Sequence, residues 1–215
     1  MDTLIKKLKD FGEIAKDLSN EAELQKLFED LAPAFLYGGY IQVRNEYKVY
    51  IRTVEFYFHS EKDDGIHDPI VYHRNGRGLE NVPYFPPMSL NAHNSGYDIT
   101  FESKDNYRAS ALIRSYEVKS NDGKHYLKWN TEKELFEEKE EYAFNNQSTY
   151  LYTLLNGFSL ENGNCIKWVD FPRTEYEPIK KTRQNVFQSE SEKKYIPQKG
   201  KRCNRLWSFT REEHV

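Results

Sequence analysis

The chain has 215 residues, 38% apolar and 30% charged, enough to bury a core without disulfide or metal staples and of a size for one domain. Two cysteines, Cys165 and Cys203, exclude a disulfide framework and a cysteine-built zinc site. No run is long and apolar enough for a transmembrane helix. The net charge of −3 argues against nonspecific nucleic-acid binding by the whole chain, while leaving room for a local basic face.

The N-terminal MDTLIKKLKDFGEI mixes acids with bases and lacks a small-residue cleavage site, so no secretory signal is expected and a cytoplasmic location is. Sixteen tyrosines within a 15% aromatic content suggest a sheet-rich protein whose rings pack at one end and meet water at the other. Residues 2–31 are predicted helical. Leu4, Ile5, Leu8, Phe11, Ile14, Ala15 and Leu18 recur at three- and four-residue spacing, a capped break falls at Ser19, and Leu24, Leu27, Phe28 and Leu31 resume the pattern until Pro33 closes it.

From residue 34 the period changes to two. Tyr40 to Arg44 and Tyr47 to Phe58 are predicted as the arms of a hairpin, the second rich in β-branched and aromatic residues. A polar loop runs from His59 to about Pro87. Strands are expected at Tyr97–Phe101 and Ala109–Val118, with a turn at Asp105-Asn106 between them. Residues 131–143 (TEKELFEEKEEYA) are predicted as an acidic helix, capped by Thr131 with Glu134 completing a capping box. A short apolar stretch, Tyr150 to Phe158, precedes a strand from Ile166 to Phe171. From Arg173 to Arg211 the charge reverses, with eleven bases against four acids. The expected fold is α+β: a single domain with a curved antiparallel sheet, an N-terminal helical unit (1–33), a sheet-rich body (34–215) and peripheral helices around 131–155.

Five groups of residues could carry chemistry. Glu55, within IRTVEFYF, shares a strand face with Thr53 and Tyr57. It is either an outward charge or a desolvated carboxylate acting as general base on water, with Tyr57 as a stacking ring beside it. His59, His67 and His73, with Glu61, Asp63, Asp64 and Asp68, could hold a divalent metal, although they match no compact ligand pattern. Arg114, within the apolar ALIRSYEV, needs either an ion-pair partner or a phosphate or planar substrate. His93 and Asp98 form either a hydrogen-bonded pair or a turn beside an ordinary edge residue, the turn being favoured. The basic tail, with Lys199, Lys201, Arg202 and Arg205 among Tyr195, Trp207 and Phe209, matches the footprint of phosphate-backbone binding or is a solvated tail. No Walker A, GxGxxG, nucleophile elbow or CxxC is present.

In order along the chain, these segments resemble the alkyladenine (3-methyladenine) DNA glycosylases. LAPAFLYGGYIQVRNEYKVYIRTVEFYF is similar to that family's helix and strand pair, with Glu55-Phe56-Tyr57 at its E-A-Y. Asp68-Pro69-Ile70-Val71-Tyr72-His73-Arg74-Asn75-Gly76 resembles its acid-Pro, His and Gly-rich turn, and Ser95-Gly96-Tyr97-Asp98-Ile99 its Gly-centred strand. Ala111-Leu112-Ile113-Arg114 resembles its apolar strand ending in Arg, and Arg205-Leu206-Trp207-Ser208-Phe209 its closing strand. The family's Tyr-Val-Tyr stretch is replaced by Ser89-Leu90-Asn91-Ala92-His93-Asn94, which puts His93 in one pocket wall or leaves that wall missing.

The resemblance implies a monofunctional DNA glycosylase, a hydrolase of base-excision repair that flips a damaged purine from double-stranded DNA. Glu55 would activate water, Tyr57 would stack, and His73 and His93 would line the pocket with Arg114 supporting. Lys199, Lys201, Arg202 and Arg205 would hold phosphates, and Tyr37, Tyr40 or Phe85 would fill the vacated stack. No metal or organic cofactor is implied, and a monomer is expected. Two alternatives stand beside it: a noncatalytic module binding nucleic acid or protein, and a metal-dependent hydrolase built on the histidine loop.

Overall fold

The computed structural model describes residues 3–68, 71, 83–93, 96–145, 151, 154–155, 166–171, 176–183 and 205–212. Two helices come first, α1 (Leu4–Ala15) and α2 (Glu21–Tyr37). Thr3 accepts the Lys6 N–H and Asn20 accepts the Ala22 N–H, which satisfies donors that a first helical turn leaves over. The break between the helices is therefore capped by Asn20 rather than Ser19. On α1 the buried stripe is Leu4, Leu8, Phe11 and Ala15, while Ile5 and Ile14 face outward. Pro33 does not end the second helix as expected. It forfeits one backbone hydrogen bond, but Ala32, Ala34, Phe35 and Leu36 are all buried around it, and that packing carries the helix to Tyr37.

Ten described strands follow: β1 (Gly39–Val43), β2 (Tyr47–Ser60), β3 (Leu90–His93), β4 (Gly96–Thr100), β5 (Tyr107–Ser120), β6 (Tyr126–Asn130), β7 (Leu135–Lys139), β8 (Ile166–Asp170), β9 (Ile179–Lys181) and β10 (Ser208–Thr210). They form one antiparallel sheet, curled into a half-barrel, with main order β3-β4-β5-β2-β1-β8. Two 14-residue strands, β2 and β5, are its spine. β10 pairs with β2 beyond the end of β1 and is flanked by β9, while β6 and β7 extend from the far end of β5. The β1–β2 turn is tight: Arg44 and Asn45 both take positive φ, and the Glu46 N–H returns to Val43 O at 2.9 Å. A single α+β domain with a curved antiparallel sheet is thus what the chain builds.

The core lies between the helices and one face of the sheet. Val54, Phe56 and Phe58 from β2 and Ala109, Ala111 and Ile113 from β5 stand opposite one another and are all buried. Phe28 of α2 stacks on Phe56 with centroids 4.6 Å apart, and Trp207 meets Phe28 edge-on at 5.2 Å. Alternation along β2 therefore sends Glu55 and Tyr57 to the opposite face.

The acidic helix expected at 131–143 is a hairpin instead. Asn130 caps a turn by accepting the N–H groups of Glu132 and Lys133, Glu134 takes φ 53°, and Leu135–Lys139 returns as β7 against β6. Trp129 and Phe136 meet across the two strands at 5.1 Å. Cross-strand packing of that kind outweighs the helical propensity of a Glu/Lys-rich segment. Of Tyr150–Phe158, only residues 151, 154 and 155 are described, each in helical conformation.

Candidate active site

The sheet face turned away from the helical core is polar. Register across three strands places Glu55, Leu112 and Asp98 in one row and Tyr57, Ser110 and Thr100 in the next, all fully buried. β2 is interior here, pairing with β5 on one side and with β10 on the other, where Ser208 stands opposite Glu55. The carboxylate is therefore mounted on backbone fixed from both sides.

Two irregularities aim the arginine at it. The β2–β5 register shifts between Ile51 and Thr53 and again between Thr53 and Val54, leaving Arg52 on β2 and Arg114 on β5 outside the paired sequence. Bulges of this kind redirect side chains. Arg114 Nε donates to Glu55 Oε2 at 2.6 Å, and the Tyr57 hydroxyl donates to the same oxygen at 3.1 Å. Burial, and then the Glu55 charge, push the Tyr57 hydroxyl far above its ordinary value, so it keeps its proton and remains a donor. Burial works against the Arg114 charge, yet Tyr57 and Glu55 more than offset it and raise its pKa. Solvent touches this group at Arg114, whose side chain is 17% exposed while that of Glu55 is 0%.

A second carboxylate sits two strands away, about 10 Å across the sheet by strand spacing. Asp98 is fully buried and its Oδ2 lies 3.0 Å from His93 Nε2. The pair forms, and the turn reading favoured from sequence is corrected: His93 ends strand β3, which pairs with β4 through the register His93↔Gly96 and Asn91↔Asp98.

A third ionic group lies beneath Tyr57. Arg183 donates to Asp68, with Nη1 2.5 Å from Oδ2 and both side chains wholly buried, and its guanidinium covers the Tyr57 ring at 4.6 Å. One face of the expected stacking ring is thus already occupied. Arg183 had no assigned role in the sequence; a single base in a polar tail gives no sign that it will be buried.

The remaining expected residues separate. His73, Lys199, Lys201 and Arg202 lie outside the described residues. Arg205 reaches inward, bonding Glu21 and the carbonyl of His67 and stacking on Trp207 at 4.5 Å, so a phosphate would have to compete with these partners. Of the wedge candidates, Tyr37 is buried at the end of α2 with its hydroxyl accepting the Glu212 N–H, which removes it from that role. Tyr40 is half-buried against Tyr50, and Phe85 is half-buried and donates its N–H to Glu102. In the histidine loop, His59 accepts the Asp68 N–H and burial lowers its pKa, while Asp68 is taken by Arg183. Among the described residues no three His, Cys, Asp or Glu side chains converge as metal ligands.

Compared with protein-family models, curated proteins and solved structures, the chain finds no match.

Proposed function

We propose that this protein hydrolyses the N-glycosidic bond of a damaged purine flipped from double-stranded DNA, with Glu55 as the group that activates water. The observation that carries this reading is the placement of Glu55: an acid with no exposed surface, on the polar face of the sheet, gripped by Arg114 and Tyr57. A noncatalytic module has no need to bury that acid. Removing a charge from water costs several kcal/mol unless geometry returns it, and such groups gather where chemistry is done.

Pairing with Arg114 fits the reaction. Breaking an N-glycosidic bond builds positive charge on the sugar, as in other glycoside hydrolyses. A fixed anion beneath that sugar stabilises the charge as it grows, and a water held against the carboxylate loses its proton as it attacks. Arg114 and Tyr57, both on Oε2, hold the carboxylate plane in place. A cationic damaged base then departs as a neutral molecule. Extruding the nucleotide costs a few kcal/mol, least where the base is already damaged.

The test is a screen of base release from duplex oligonucleotides carrying one damaged purine each, with Glu55→Gln as control. Release by the wild type and loss in the variant, with duplex binding retained, is the expected outcome. Normal release by Glu55→Gln removes Glu55 from the role.

A further inference from the structure

A pocket of about 370 Å³ lies on the helical side of the sheet, between α1 and the turn from β4 to β5, away from the polar face that holds Glu55. Its size is that of a small-molecule site. Leu8, Phe101, Glu102 and Tyr107 form a buried floor, and Ile5, Lys9 and Glu13 an exposed mouth. Two polar groups of that floor are unsatisfied. Tyr107 is 3% exposed, yet its hydroxyl makes no hydrogen bond among the described residues. The hydroxyl meets α1 at Gly12, which lines the same pocket, and a Cβ there would lie 3.0 Å from it. Glycine is unfavourable inside a helix; here it leaves the hydroxyl uncovered. Glu102 uses one oxygen only. Oε2 accepts the Phe85 N–H at 2.7 Å and Arg108 Nη1 at 3.4 Å, while Oε1, buried as well, has no partner among the described residues. Buried polar atoms without partners ask for an explanation, and an absent ligand supplies one.

The charges around the floor decide which ligand fits. Arg108 is shared between two acids, its Nε donating to Glu61 at 2.9 Å and its Nη1 reaching Glu102 at the longer distance. Burial, then Glu13 and Glu102, raise the Tyr107 hydroxyl above its ordinary value, so it keeps its proton and sits in the field of two carboxyl groups. Positive groups keep to the mouth: Lys16 is held by Glu13 at 2.7 Å, and Lys9 is exposed. A carboxylate oxygen and a hydroxyl oxygen, both open as acceptors, suit the N–H groups of an ammonium. The walls formed by Leu8, Met88 and Phe101 suit a hydrocarbon body.

We propose that this pocket binds a small amine with an apolar body, its ammonium donating to Glu102 Oε1 and to the Tyr107 hydroxyl. The site is separate from the hydrolytic one and does not depend on the role of Glu55. Burial pushes the Glu102 carboxyl up to about 7, against the pull of the Phe85 N–H and Arg108. The charged and titratable groups around it are Glu61 beside the end of β2, Tyr84 stacked on Arg108, Arg108 and Tyr107 from β5, and Lys9, Glu13 and Lys16 from α1. An ammonium needs the ionised carboxyl, so binding releases the proton that Glu102 holds below about 7. Affinity therefore rises with pH up to that value and levels off above it. The amine itself, like a lysine, stays charged throughout.

The experiment is calorimetric titration of the full chain with phenethylamine and hexylamine, and with two controls of similar shape, neutral phenethyl alcohol and anionic hydrocinnamate. Each amine is expected to bind once per chain, about 10-fold more tightly near pH 8 than near pH 6, where about a tenth of Glu102 is ionised. Both controls should bind about 10-fold more weakly than the amines, or worse. Glu102→Gln keeps the side-chain shape and is expected to weaken amine binding about 10-fold or more near pH 8, as loss of a charged acceptor does, and to flatten the pH dependence. Gly12→Ala sets a methyl group against the Tyr107 hydroxyl and should weaken binding about 10-fold, while its thermal midpoint holds or rises because alanine favours the helix. Saturable binding of neither amine, equal or tighter binding of either control, or wild-type affinity and pH dependence in Glu102→Gln would overturn the proposal. None of these results bears on base release.

Discussion

The contact between Glu55 and Arg114 is a buried ion pair, and such pairs are asymmetric in what they cost. Replacing both partners together is often tolerated, whereas removing one strands the other and costs about 3–5 kcal/mol. Arg114→Leu should therefore destabilise the fold by about that amount in urea unfolding, and adding Glu55→Gln should recover a large part of it. Strict additivity of the two changes would show that the 2.6 Å contact is not what holds the acid. A second buried acid, Glu102, acts on stability through pH. Burial pushes its carboxyl up to about 7, although the Phe85 N–H and Arg108 both pull the other way. Between the ordinary value of 4.5 and about 7, the folded state holds a proton that the unfolded chain has released, so stability falls as pH rises through that window. The loss is at most about 3 kcal/mol. The urea midpoint is expected to drop across the window, and Glu102→Gln to flatten the decline.

At the scale of elements, strands β2 and β5 were legible because they are long and rich in β-branched and aromatic residues, and the alternation from Val54 to Phe58 placed Glu55 and Tyr57 together. Arg114 was legible as an anomaly, a charge inside an apolar strand; the bulge that turns it toward Glu55 is marked only by a one-residue slip in the apolar alternation, between Ile51 and Val54 and between Ile113 and Tyr116. Asp68 and Arg183 were beyond reach, because a pairing across 115 residues is made by the fold alone. Strands β3 and β6 were missed for another reason. They are short, half-exposed and mixed in composition, so period two never emerges. The segment at 131–143 was misread because its Glu and Lys residues favour a helix when no partner strand is considered. Glu134→Gly separates the two structures by sign. In a helix interior the change would cost about 1 kcal/mol, whereas at φ 53° it relieves a left-handed backbone worth about 1–2 kcal/mol. Thermal unfolding of the variant should show a higher midpoint, and a lower one would contradict the hairpin.

At the scale of the whole molecule, the charge separation visible in the sequence turns partly inward. Described bases of the C-terminal segment return to acids of the body: Lys180 to Glu29, Arg183 to Asp68 and Arg205 to Glu21. The first and third link the segment to α2, while the second crosses the polar face beside the proposed catalytic acid. β10 completes the arrangement by lying against β2 at Glu55 itself. The C-terminal segment thus ties the helical layer on one face of the sheet to the strand that carries Glu55. The most direct measurement is the amount of free base released in one turnover from a damaged-purine duplex, by wild type and by Glu55→Gln, at equal fractions of bound DNA. The account predicts release by the wild type and a loss of about 100-fold or more in the variant, a general base being worth that much. Equal release by the two proteins would contradict it.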